Sequence, residues 1–413
     1  MNELRRRIVL AAFAQAALTP SPLPLRGRGA TRCAFGTTAG ARPSIAPRPR
    51  SGRGAGVRAA SADADLNYPD VTPRRLEFPR DLGAHFPYRT EWWYLTGQLD
   101  APPGSGQPTL GLQLTFFRVR PPIDPDNPSR FAAHQLVLAH AALADPRRGA
   151  LLHEERIARL GFGVAEASEA DTAIQVDRWQ LVRDAARGAY LGRAHGASFA
   201  LELTATPTQP PLLQGLDGYS RKGPTASGLA PASLYYSQPQ LDLQARVRVG
   251  DLAWEARSGR GWLDHEWTST LLPPQAAGWD WAGFNLDDGS ALTVFRIRRA
   301  GGTDEPLYAY ASLRAPGAPV QTFAPSEVHW EPLQTWTSPR TRAVYPVAQS
   351  IRVGSRRMQT RPLMPDQELD ARASSGIVYW EGASALLEQG RPIGRGYLEL
   401  TGYAAPLPGL LTG

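Results

Sequence analysis

Leu114-Thr115-Phe116-Phe117-Arg118-Val119-Arg120 returns later in the chain as Leu292-Thr293-Val294-Phe295-Arg296-Ile297-Arg298. Each heptapeptide follows a Trp-rich segment, Glu91-Trp92-Trp93-Tyr94 in the first case and Trp279-Asp280-Trp281 in the second. Val, Phe and Thr suit the pleated, half-buried surface of a strand. Asp287-Asp288-Gly289, between 279–286 and 291–297, is a hairpin signal. Strand-like heptapeptides match by chance, but matching flanks favour duplication of a β unit. The expectation is an all-β chain with two similar antiparallel β-barrel domains in tandem, 70–268 and 269–413. Leu271-Leu272-Pro273-Pro274 reads as the linker between them.

Working outward, short apolar stretches at 92–99, 110–119, 136–143, 199–204 and 241–249 alternate with turn clusters, as strands do. Residues 151–160 fit helix or strand equally. The chain has 413 residues, 42% of them hydrophobic and 20% charged. That composition excludes wholesale disorder and collagen. Net charge is +7, yet residues 1–60 hold eleven Arg against one acid, Glu3. The remainder is therefore mildly acidic, and a nucleic-acid surface is not indicated. Arg5-Arg6-Arg7 before the apolar run from Ile8 to Leu18 looks like a twin-arginine export signal, so 1–60 reads as export signal plus disordered basic tail. The expected location is periplasmic or secreted. Cys33 is the single cysteine and lies in this tail, so the body has no disulfide, thiolate metal site or cysteine nucleophile.

His85-Phe86-Pro87-Tyr88-Arg89-Thr90-Glu91-Trp92-Trp93-Tyr94-Leu95-Thr96-Gly97 resembles the opening motif of AttH-type lipocalin-like proteins, which share a superfamily with carotenoid 1,2-hydratase (hydroxyneurosporene synthase). The resemblance continues at Gly218-Tyr219-Ser220-Arg221-Lys222-Gly223, Ala232-Ser233-Leu234-Tyr235-Tyr236-Ser237-Gln238-Pro239 and Gly261-Trp262-Leu263-Asp264-His265-Glu266-Trp267. It ends with Gly278-Trp279-Asp280-Trp281, Tyr379-Trp380-Glu381-Gly382 and Gly396-Tyr397-Leu398-Glu399-Leu400-Thr401-Gly402-Tyr403. It implies two lipocalin-like barrels, export, and an association with an ABC-transporter permease. It also implies a His-x-Trp site, matched by His265 and Trp267, completed by an acid on a following strand. The strand after the hairpin, Leu292-Thr293-Val294-Phe295-Arg296, has no carboxylate, which leaves Asp280, Asp264 or Glu266 to substitute.

On a strand, alternate side chains share a face. Leu263, His265 and Trp267 then point into a barrel, and Trp262, Asp264 and Glu266 point the other way. His265 is either a ligand-facing group or a core imidazole with satisfied nitrogens. The catalytic candidates are His265, Trp267, Asp264 and Asp280; the ligand-binding candidates are Glu91, Trp93, Tyr94, Tyr236, Trp279 and Trp281. We expect His265, Trp267, Glu91, Trp93, Trp279 and Asp280 to meet, with Asp264 and Glu266 braced by Arg or backbone on the far side. Glu91 reads better as a buried acid bracing the barrel, with Arg89 or His85 as partner. Lys222 is the sole lysine and reads as part of a surface loop.

His134 and His140 on one strand stand too far apart for one ion. No zinc-protease helix motif, calcium loop, Gly-x-Ser-x-Gly elbow, phosphate loop or dinucleotide fingerprint occurs. Neither a metalloenzyme nor a serine hydrolase is expected, and no cofactor. Three functions remain: a carrier of a hydrophobic, isoprenoid or lipid-like small molecule, a cofactor-free lyase adding water to an isoprenoid double bond, or a ligand-free transporter accessory subunit. A neutral carboxylic acid in an apolar cavity is the mark of the second.

Overall fold

The computed structural model describes residues 68–407, apart from 102–103, 107, 225–230, 251 and 303–304. The basic leader read in 1–60, with Cys33, lies outside the described residues. The described residues form one compact unit. It is built from two antiparallel sheets, one a nearly closed barrel and the other a half-barrel. The first sheet runs Leu152–Arg159, Leu136–Ala144, Leu110–Val119, Thr90–Leu99, Gly259–Thr268, Ala232–Val249, Ala200–Pro207, and on through shorter strands to Ala165–Ala167. The second runs Gln321–Phe323, Tyr308–Arg314, Ala291–Arg299, Ala276–Leu286, Arg391–Thr401, Ile377–Glu388, Arg356–Pro362, Val344–Val353 and Val328–Thr337. The open segment at 151–160 is a strand at the first sheet's edge. The chain passes between sheets through 269–275, where Leu271 and Leu272 are buried.

Each sheet carries the same hairpin. Thr90–Leu99 pairs with Leu110–Val119 so that Glu91 lies opposite Arg118. Ala276–Leu286 pairs with Ala291–Arg299 so that Asp280 lies opposite Arg296. Both pairs close as salt bridges, at 2.9 Å and 2.7 Å, on acids that are fully buried. The repeated heptapeptide thus carries a repeated cross-strand acid–arginine pair. Gly289 closes the second hairpin at φ 84°, the left-handed region that glycine enters without steric cost.

Burial explains why the central strands read as near-continuous apolar runs. Thr90–Leu99 is buried on both faces because one faces its own barrel and the other faces the second sheet. In Ala232–Val249 the first half is buried throughout, while the second alternates buried and exposed. Leu95, Leu112, Leu114, Phe116 and Leu263 fill the first core. Ala282, Phe284, Val294, Trp380, Leu398 and Leu400 fill the second. The seam between sheets is polar: Gln98 Nε2 donates to the Ser384 and Gly396 carbonyls, and Asn285 Nδ2 to the Gly261 carbonyl.

Candidate active site between the two sheets

Two clusters of functional side chains lie on opposite faces of the same strands. Inside the first barrel, Glu91 Oε1 is 2.7 Å from His85 Nδ1 and 2.9 Å from His265 Nε2, while Arg118 Nε donates to Oε2 at 2.9 Å. His265 stacks on Trp93, and His85 on Trp267. His85 Nε2 contacts Asp81 at 3.0 Å. With a carboxylate at each ring nitrogen, His85 must donate from both and is an imidazolium. Burial opposes its charge, but the bonds to Asp81 and Glu91 overcome this and raise its pKa. Burial alone would raise Glu91, and Arg118 with the two histidines holds it well below the usual carboxylate range. The imidazole of His265 is pushed down by burial, and its Nδ1 lies 3.1 Å from the Tyr236 hydroxyl.

His85, Glu91 and His265 are close enough to be considered ion ligands. Their contacts are instead hydrogen bonds, closer than the roughly 3.3 Å between ligands around tetrahedral zinc. A histidine protonated on both nitrogens has no lone pair for a metal. The geometry fits the reading of Glu91 as a buried, hydrogen-bonded acid. Arg118 rather than Arg89 supplies its guanidinium.

The other face opens into a cavity between the sheets. Its walls are apolar: Trp92, Tyr94, Phe117, Leu271, Leu272, Trp279, Trp281, Phe295 and Ile297. Into them project Asp264 and Glu266 from the first sheet, Glu381 and Glu399 from the second, and Lys222. Glu266 is ion-paired with Lys222 Nζ at 2.7 Å and accepts from Ser233. Lys222 is buried against Tyr235 and Phe295 rather than lying on the surface. Among the described residues no such cation is ion-paired with the other three acids.

Asp264 accepts from Tyr235, Ser237 and Trp262 at 2.6, 2.6 and 2.7 Å, yet burial pushes it up to about 7. Glu399 accepts from Trp279 Nε1 and Thr401, both at 2.9 Å, and burial likewise carries it to about 7. Glu381 lies directly across the strand pair from Glu399. Burial, then the Glu399 charge, pushes it well above the usual range. Its Oε2 accepts from Tyr94 at 2.6 Å, and its Oε1 makes no hydrogen bond among the described residues. When protonated, Glu381 has an O–H on Oε1 to present to the cavity.

Of the expected site residues, His265, Trp267, Glu91 and Trp93 meet, but in a filled barrel interior with Tyr236, not in the cavity. Asp280 is in the second core, held by Arg296, Arg298 and Tyr403. It does not join His265, and neither does Trp279, which faces the cavity with Trp281, Tyr94 and Asp264. Asp264 and Glu266 are braced by hydroxyls, an indole and Lys222 rather than by Arg. His134 precedes the strand that carries His140. Sequence reasoning missed Glu381 and Glu399 as site residues, although both stand in the motifs that carry the family resemblance. The missing signal was pairing: Arg391–Thr401 returns to lie beside Ala276–Leu286 and brings Ile377–Glu388 with it.

The sequence profile of the AttH-like family matches residues 69–403. The chain belongs to the AttH-like family. The crystal structure of an AttH candidate from Nitrosomonas europaea is 47% identical, covers 81% of this chain and 99% of its own, and superposes with a TM-score of 0.74. Kievitone hydratase from Nectria haematococca, 12% identical, covers 80% of this chain and 94% of its own with a TM-score of 0.59, a likeness of fold. No curated protein matches this AttH-like chain significantly.

Proposed function

We propose that this AttH-like protein is a cofactor-free hydro-lyase that adds water to, or removes it from, an apolar unsaturated substrate held between the two sheets. The observation that carries this reading is a fully buried carboxyl, Glu381, facing an aromatic cavity directly across the strand pair from a second buried acid, Glu399; burial favours the protonated form of Glu381. Hydration of an isolated alkene needs a strong proton donor, and an apolar site keeps a carboxyl protonated for that role. The Glu381 O–H gives its proton to one alkene carbon, and the π pair forms the new C–H bond. The carbocation left on the other carbon is stabilised by the faces of Trp92, Tyr94 and Trp281. Water adds there and releases its proton to Glu399, and the two facing carboxyls return one shared proton to Glu381. The hydratase activity of the kievitone enzyme is consistent with this reading.

Incubation with a panel of prenylated phenols and acyclic isoprenoids in oxygen-18 water tests it, with products followed by mass spectrometry. The expected result is labelled hydrate from the wild type and a loss of about a hundredfold or more in Glu381→Gln. Turnover by Glu381→Gln at the wild-type rate overturns it. The same cavity supports a second reading, a carrier. An apolar molecule that co-purifies unchanged and is released on mutating Trp281, with no turnover of the panel, would favour it. The basic leader belongs to the same proposal, placing the protein outside the cytoplasm, and cell fractionation checks this.

A further inference from the structure

A chain of hydrogen bonds leaves the cavity through the seam between the sheets. Tyr379, on the cavity wall, lies 2.8 Å through its hydroxyl from His140 Nδ1. Gln113 Nε2 donates to the same phenol oxygen at 3.3 Å, so the phenol proton points to His140. The imidazole proton is then on Nε2, 3.1 Å from Ser374 Oγ. Ser374 donates to Glu155 Oε2 at 2.5 Å; its other acceptor, the Ala371 carbonyl, is 3.4 Å away. His140, Tyr379 and Ser374 are buried, whereas Glu155 is partly exposed on the edge strand Leu152–Arg159. His140 and Glu155 belong to the first sheet, Tyr379 to the second, and Ser374 to the turn that leads into the strand of Tyr379.

We propose that Tyr379, His140, Ser374 and Glu155 form a proton relay that connects the inner wall of the cavity with solvent at the sheet edge. Its purpose rests on the reading of the cavity as a site of acid chemistry; its existence rests on the geometry of the chain. A proton released in the cavity joins the Tyr379 oxygen, whose own proton passes to His140 Nδ1. The Nε2 proton passes to Ser374 Oγ, the Ser374 proton to Glu155, and Glu155 gives it to water. Each hop breaks one O–H or N–H bond and makes the next, and no other reactant is consumed. The reverse run, from the opposite tautomer, loads the cavity. Burial holds His140 down to about 3, so its imidazole is neutral and can accept at one nitrogen while donating at the other. A brace between sheets would need only partners for the buried imidazole. This chain continues past it and ends on a titratable group at the surface.

The test is the exchange of the His140 ring proton with solvent, followed by nitrogen-15 NMR of histidine-labelled protein. Wild type is expected to exchange fast for so buried a ring. Glu155→Gln, at the exposed end, and Ser374→Ala should each slow exchange about tenfold or more, and Ser374→Thr should restore it. Equal exchange in all four proteins overturns the relay and leaves a structural brace. In parallel, the infrared band of a protonated carboxyl that vanishes in Glu381→Gln should shift on transfer to heavy water, and shift more slowly in Ser374→Ala. An equal rate of shift there overturns the link to the cavity. Absence of that band from the wild type removes the acid reading of the cavity, while the His140 exchange still decides the relay.

Discussion

Glu91 and Glu381 are both buried carboxyls, yet their neighbours give them opposite charge states. Glu91 has Arg118 and the His85 imidazolium and is ionised. Glu381 has a phenol and another acid, and burial favours its neutral form. Truncating Glu91 leaves Arg118 buried without its carboxylate. Glu91→Ala should therefore cost about 3–5 kcal/mol in urea denaturation. It should leave cavity binding in the folded protein unchanged, since the cavity lies on the strand's other face. The cavity acids make a pH prediction of definite sign. Glu399 rises from 4.5 to about 7 on folding, so its contribution to stability is full below pH about 4.5 and is lost as pH climbs through about 7. Thermal melts from pH 4 to 8 should show this decline. Glu399→Gln, which keeps an acceptor for Trp279 and Thr401, should make the decline shallower, with Asp264 and Glu381 supplying the remainder, and be the more stable protein at pH 8, by on the order of a few kcal/mol. His85, also raised, adds a loss of the same sign at high pH, while Glu91 costs stability at low pH.

At the scale of the strand, parity separates faces but does not say which face meets a void. The expectation that Leu263, His265 and Trp267 share a face holds, and so does the expectation that Asp264 and Glu266 oppose them. Both faces are buried, because the strand lies between a barrel core and a second sheet. The polar group inside the barrel is a brace, and the acids expected to be braced outside line the cavity. The seam depends on close approach. A Cβ built on Gly111 would lie 2.6 Å from Ala383 Cβ and 2.8 Å from the Tyr397 hydroxyl, both on the opposing sheet. Gly111→Val should thus wedge the sheets apart and lower stability by about 1–3 kcal/mol. Calorimetry against Leu110→Val, a smaller side chain at the neighbouring position, separates wedging from ordinary core loss.

At the scale of the molecule, the two sheets are not independent bodies. The cavity takes Asp264 and Glu266 from one and Glu381 and Glu399 from the other, and the relay alternates between them. Residues 61–270 expressed alone would expose Trp92, Tyr94 and Phe117 to water. They should bind a hydrophobic dye and aggregate, and co-expression with 271–413 should recover a one-to-one complex in size-exclusion chromatography. A well-behaved, dye-silent 61–270 would show that the seam is dispensable.

The β architecture was legible because its signals are local: strand composition, the Asp-Asp-Gly turn, and a repeated heptapeptide that proved to carry a repeated acid–arginine pair. The family was legible because its motifs are contiguous. Four of the cavity's residues, Tyr94, Asp264, Trp279 and Trp281, were named as site residues from sequence, but they were grouped with His265 and Asp280, which belong to two different cores. That grouping was decided only by tertiary structure. Which acids share a space depends on strands brought together from opposite ends of the chain. Their protonation depends on how completely that packing excludes water and which charges it leaves nearby, and neither quantity is written in the spacing of residues along one strand.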